Sequence, residues 1–136
     1  MPLKYEIIED LNLVLAVGID IISFTELMDH LEQLSNDPRY KKPMKKLVDY
    51  RKVDSIQMTS SESETFAQKK AGLGDIFIGE QCAIVAPVDP AYGMARVHDS
   101  LIDYKEPGIS TSVFRDWDKA LAWLNVKLPE DINFEV

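Results

Sequence analysis

The chain has 136 residues and a mass of 15.4 kDa, and it is 46% hydrophobic and 28% charged, the proportions of one globular domain that buries a core without staples. Its 23 acidic and 15 basic side chains give a net charge of −8, which disfavours an extended nucleic-acid or anionic-membrane surface because phosphate neutralisation needs clustered cations. Cys82 is the single cysteine, so an intrachain disulfide and a Cys-rich metal site are both excluded.

The opening MPLKYEIIEDL carries acids where a signal peptide needs an apolar run, and no stretch approaches the length of a membrane span, so the expected location is cytoplasmic. The charge is uneven. Residues 1–35 are net −6, residues 36–54 are net +4 from 7 cations against 3 acids, and residues 55–136 are net −6. A short basic stretch thus interrupts an acidic body.

Residues 3–9 and 11–19 are two β-type runs, and the polar Glu9-Asp10 and Asn12 between them predict an antiparallel hairpin. Ser23 stands three before Glu26, the spacing of a capping box, and Leu27, Met28, Leu31 and Leu34 follow at helical intervals, predicting a helix of about a dozen residues. Asn36-Asp37-Pro38 ends it. Met44 to Tyr50 reads as a short strand, and a second helix is expected over Ser61–Ala71, with Ser61 and Glu64 as its capping pair. GLGDIFIG at 72–79 lacks the spacing of a phosphate loop and reads as a helix stop with an apolar connector.

Gln81–Val88 is the most continuous apolar strand and is expected inside the sheet. Asp89-Pro90 opens a third helix bearing Met94, Val97 and Leu101, and Pro107-Gly108 ends the segment. Residues 109–115 form the last strand, and Asp116 is expected to cap a final helix on which Trp123 is the core anchor and Trp117 a rim residue. The order β-β-α-β-α-β-α-β-α predicts an α/β sandwich: a mostly parallel five-stranded sheet with an N-terminal antiparallel hairpin and about four helices. Residues 1–136 read as one domain, with 129–136 as a C-terminal tail whose Ile132 and Phe134 could pack on the body or on a second copy.

Three stretches, residues 37–54 (DPRYKKPMKKLVDYRKVD), 91–101 (AYGMARVHDSL) and 113–124 (VFRDWDKALAWL), resemble the SpoIIAA-like family, a branch akin to the STAS domains of anti-sigma-factor antagonists and sulfate-transporter tails. The resemblance extends over nearly the whole chain and implies a STAS-like sandwich. In anti-sigma-factor antagonists the strand equivalent to Leu47–Asp49 leads to a helix start that presents a phosphorylatable serine within Asp-Ser-Ser-Gly. That signature is absent here, and the aligned position falls on Gln57-Met58-Thr59, so Thr59, Ser60 and Ser61 are the candidates for modification and, unmodified, for capping.

No spacing assembles a catalytic or metal centre. His30 and His98 lie on different predicted helices without an HxH, HxxxH or HExxH pattern, and Cys82 sits within an apolar strand as a small buried hydrophobe. No cofactor is expected. Asp49 at a predicted strand end, with Arg51 and Lys52 beside it, reads as a charge-assisted network. The basic run Arg39, Lys41, Lys42, Lys45, Lys46, Arg51 and Lys52 reads as a solvated lip of loop and strand.

The favoured function is a noncatalytic protein-interaction or regulatory domain whose partner or ligand surface is Lys45, Asp49, Arg51, Lys52 and Ser55, with homodimerisation a further expectation. The alternatives are a small apolar or lipid-like ligand held between sheet and helices, which needs a cavity, and an enzyme of unknown reaction.

Overall fold

In a computed structural model, residues 2–105 and 108–128 are described, with the backbone alone over 98–105. The expectations for His98 and for the tail residues Ile132 and Phe134 therefore fall outside the described side chains. Strands β1 (Leu3–Ile8) and β2 (Leu13–Ser23) form the expected hairpin, joined by a 3-10 turn over Glu9–Leu11 that closes on Asn12 in the left-handed region, a conformation Asn tolerates. The remaining elements are α1 (Phe24–Ser35), β3 (Lys45–Gln57), α2 (Ser60–Gly72), the one-turn α3 (Gly74–Phe77), β4 (Gln81–Val85), α4 (Asp89–Lys105), β5 (Ser110–Phe114) and α5 (Trp117–Leu124).

The sheet order is β1-β2-β3-β4-β5, antiparallel only between β1 and β2. Each parallel crossover steps the same way across the sheet, so α1, α2 and α4 share one face, where α2 packs against both α1 and α4. Strand alternation divides the apolar side chains accordingly. Val14, Ala16, Val48 and Ile84 join Leu31, Leu34, Phe66 and Ala95 beneath the three helices. Leu13, Leu15, Leu47, Ala83 and Val85 form a second layer with Trp117, Ala120, Leu121 and Leu124 of α5 on the opposite face. β4 is interior and buried on both sides, as its continuous apolar run predicts.

Four local expectations need correction. β3 runs to Gln57 instead of stopping at Tyr50, because it pairs with a β2 that itself continues to Ser23. The second capping box is Thr59 with Glu62, two residues ahead of the Ser61–Glu64 pair: Thr59 Oγ1 accepts from the Glu62 N–H, and Glu62 Oε1 accepts from the Thr59 N–H. Asp116 stands at the start of α5 but its side chain accepts no capping hydrogen bond. The two tryptophans exchange roles. Trp117 is buried, and Trp123 is only half-buried, packed against Phe114 at 5.7 Å between ring centroids. The first capping box, Ser23 with Glu26, forms as predicted.

Gly18 of β2 meets the Tyr50 ring so closely that an added Cβ would lie 2.9 Å from two ring carbons. The pairing of β2 with β3 shifts register at this point, where Val17 faces Asp49 but Ile19 faces Lys52, and again between Asp20 and Ile21. These irregularities insert extra β3 residues against β2 and turn the outer part of the ribbon.

Candidate functional site

Two groups of polar side chains emerge, one on the surface and one interior. The surface group lies where the sheet narrows. Asp49 faces Val85, the last residue of β4, while β3 continues beside β2 until Gln57 faces Ser23. Residues 50–57 therefore extend beyond the last β3–β4 rung as a two-stranded ribbon. Arg51 engages Asp49 through both guanidinium arms, at 3.0 Å from Nε to Oδ1 and 2.9 Å from Nη2 to Oδ2, and stacks on the Trp117 ring at 3.8 Å. This ties the root of the ribbon to α5 by a bidentate ion pair and a cation–π contact. Asp49 is thus held mid-strand, not at the end of β3, although it does mark the C-terminal end of β4.

Beyond it Lys52 is exposed opposite Ile19, and Ser55 is half-exposed opposite Ile21, whose side chain is itself 46% exposed. Asp49, Arg51, Lys52 and Ser55 therefore share one end of the molecule. Lys45 does not join them: it begins β3, six residues from Arg51, or about 20 Å along an extended strand. Thr59 is engaged in its cap, whereas Ser60 and Ser61 are exposed in the first turn of α2.

The interior group was not anticipated. Lys46, read as part of the basic lip, is buried at 5% exposure beneath the three helices, because alternation along β3 places it with Val48 and Tyr50 while Lys45 points the other way. In register across the sheet, Val14 faces Lys46, Lys46 faces Cys82, and Cys82 faces Thr111, so one rung of an otherwise apolar sheet face carries three polar side chains. Above it, Lys46 Nζ lies 2.7 Å from His30 Nε2, and Lys70 Nζ of α2 lies 2.7 Å from Glu80 Oε1, whose other oxygen accepts from the Tyr40 hydroxyl at 3.1 Å. Both lysines and Glu80 are essentially out of water.

Burial, reinforced by the charges of Lys46 and Lys70, holds His30 well below its ordinary pKa of 6.5. The ring is therefore neutral, and its Nε2 accepts from Lys46. Its Nδ1 has no partner among the described residues, nor has Thr111 Oγ1. Burial and the nearby Lys70 lower Lys46, whereas Lys70 is raised and Glu80 lowered: desolvation opposes both ionisations, but their mutual attraction outweighs it. Glu80 thus pairs directly with Lys70 and also attracts Lys46 at longer range, and among the described residues no carboxylate lies within ion-pair distance of Lys46.

His30, Lys46, Lys70, Cys82 and Thr111 line a cavity of about 50 Å³, closed otherwise by apolar side chains including Leu27, Leu31, Ile56, Phe66 and Met94. That is several times the roughly 10–15 Å³ that admits a water molecule and well short of the ~300–1,000 Å³ of sites for drug-sized ligands. A cavity of this size does not accommodate a lipid-like molecule. Of the aromatic and methionine side chains near the helix starts, Met94 lines it, whereas Tyr92 lies under Arg115 at 4.1 Å and Phe114 belongs to the opposite face. Among the described residues no group of three or more His, Cys, Asp or Glu side chains is placed to hold a metal ion, and no helix is long and apolar enough to cross a membrane.

No protein-family model matches the chain, and no curated protein matches it. Its structure is similar to that of an uncharacterised protein of the DUF3478 family with a SpoIIAA-like fold from Shewanella loihica, at a TM-score of 0.54 and 18% sequence identity, covering 90% of this chain and 93% of that one. At that identity the likeness is one of fold. The chain has the SpoIIAA-like α/β sandwich, with its mostly parallel sheet and opening hairpin.

Proposed function

We propose that the chain is a noncatalytic interaction domain that engages a protein partner through the projecting β2–β3 ribbon, with Arg51, Lys52 and Ser55 as its contact residues and Asp49 as the group that fixes Arg51. One observation carries the reading: β3 continues eight residues past its last rung with β4, so this segment has no strand partner on that side among the described residues. Unpaired strand edges are templates for protein contact, and exposed charges such as Lys52 and Asp54 restrict which partner is accepted. Arg51, anchored on Asp49 and Trp117, presents its outer surface without the entropy loss of a free side chain. Lys45 belongs to this surface only through the long-range field of the basic stretch.

The test is an unbiased pull-down with the full chain, followed by titration of the recovered partner against wild type and the Lys45→Glu/Lys52→Glu double variant over a range of salt. Reversal should weaken binding at low salt by tenfold or more and flatten its salt dependence. A specific partner whose affinity and salt dependence are both unchanged by the reversal refutes the assignment.

A further inference from the structure

The outer edge of β1 takes no part in the ribbon. We propose that this edge is the interface with a second copy of the chain: the two β1 strands pair antiparallel about a two-fold axis at Tyr5, and Lys4 of each copy faces Glu6 of the other.

The main chain fixes which groups are free. β1 ends the sheet and pairs on one side only, with β2. The Ile19 N–H donates to the Pro2 carbonyl at 2.9 Å, and in an antiparallel pair the residues that exchange hydrogen bonds alternate, so Lys4, Glu6 and Ile8 turn their main-chain groups to β2. Leu3, Tyr5 and Ile7 turn theirs outward, where no strand meets them among the described residues. A groove lined by Leu3 and Tyr5 of β1 and by Asp29 and Gln33 of α1 runs beside the strand, so the helix does not seal this edge. An unsealed edge is a template for a further strand.

Charge selects the chain's own β1 as that strand. With the axis at Tyr5, Leu3 faces Ile7 of the second copy and Tyr5 faces Tyr5, so every outward residue enters a pair that exchanges two main-chain hydrogen bonds. Lys4 then faces Glu6 in both halves, as non-hydrogen-bonded pairs whose Cα atoms approach to about 4.5 Å. Both side chains are exposed on the α5 face of the sheet, their β2 neighbours are the apolar Val17 and Leu15, and neither forms an ion pair among the described residues. A shift of two residues in one direction sets Lys4 against Lys4, and in the other Glu6 against Glu6. The register that pairs every outward group is therefore also the one that pairs opposite charges. Charges on an edge ordinarily exclude other strands, and this pair admits one with the complementary order, which β1 itself supplies. The contact is short and each copy carries a net charge of −8, so the dimer is weak and needs physiological salt to screen the long-range repulsion.

The experiment measures the molar mass of the full chain by sedimentation equilibrium at physiological salt, from micromolar to millimolar concentration, for wild type, Lys4→Glu, Glu6→Lys and an equimolar mixture of the two variants. Wild type should rise from the 15.4 kDa monomer towards twice that mass. Each variant alone sets like charges across both rungs and should associate about fivefold more weakly or worse. The mixture brings two acids of one chain against two lysines of the other and should recover the wild-type affinity. Both substitutions are at exposed positions, and circular dichroism confirms that each variant is folded. Amide exchange followed by NMR supplies a second readout: the Leu3, Tyr5 and Ile7 amides should slow as concentration rises, whereas those of Lys4 and Glu6 are protected throughout by β2. A wild type that stays monomeric, variants that associate as tightly as wild type, a mixture no tighter than its components, or a dimer in which the Leu3, Tyr5 and Ile7 amides stay fast would each overturn the proposal.

Discussion

Replacing Glu80 by glutamine isolates the charge of the interior network while keeping its shape. The Glu80 side chain is fully buried, lies 2.7 Å from Lys70 Nζ and accepts from Tyr40, so the variant retains an acceptor for Tyr40 but leaves both Lys70 and Lys46 without a nearby anion. Removing one partner of a buried pair costs about 3–5 kcal/mol, a large share of the ~5–15 kcal/mol that holds a domain of this kind folded. The penalty belongs to the stranded cation and not to the pair itself. The double variant Lys70→Met/Glu80→Leu removes the stranded Lys70 and should therefore recover most of the loss, because apolar replacements of a buried pair are often neutral; the remainder, about 2 kcal/mol, belongs to Lys46 and Tyr40, which lose Glu80 in this variant too.

Urea melts at pH 7 measure both effects. The same network predicts acid sensitivity. Glu80 is held below its ordinary value of 4.5 in the folded chain, so its contribution is complete above that value and is lost as the pH falls through the lower folded value. Wild type should lose stability on acidification below about pH 4.5, and Glu80→Gln should show a shallower loss. A single-variant cost under about 1 kcal/mol at pH 7, or a double variant as unstable as the single, would refute this account of the interior charges.

Trp117→Ala should destabilise by roughly 3–5 kcal/mol in the same melts and Trp123→Ala by clearly less, since the first ring is buried in the α5 layer and carries Arg51, and the second is half-buried. Equal losses would place both rings in the core. Gly18→Ala should cost about 1–3 kcal/mol by forcing the Tyr50 ring away from β2, and a neutral result would mean that the ring moves freely.

The strand and helix order was legible because each element carries a local signal: alternation in β1, the Ser23–Glu26 capping box ahead of α1, and the unbroken apolar run of β4. The pairing of Asp49 with Arg51 was also within reach, since the two are neighbours on one strand. Trp117 was misplaced although its spacing to Leu121 and Leu124 is that of one helix face, whereas Trp123 is turned about 100° from Leu124.

The extension of β3 could not be read locally. Its outer half, RKVDSIQ, has polar residues at most positions and is held as a strand by β2 beside it. Lys46 was hidden by composition. Within a run of seven cations its alternation with Val48 and Tyr50 was the only local sign of burial, and the alignment of Lys46, Cys82 and Thr111 arises from pairing between strands up to 65 residues apart.

The interaction reading is tested most directly by photo-crosslinking from two positions of the full chain in cells, with the reactive side chain at Ser55 on the ribbon or at Lys119 on the exposed side of α5. The account predicts one dominant protein adduct from position 55, absent from position 119 and lost when Lys52→Glu is added. The same adduct from both positions, or an adduct at 55 that persists unchanged with Lys52→Glu, would contradict it.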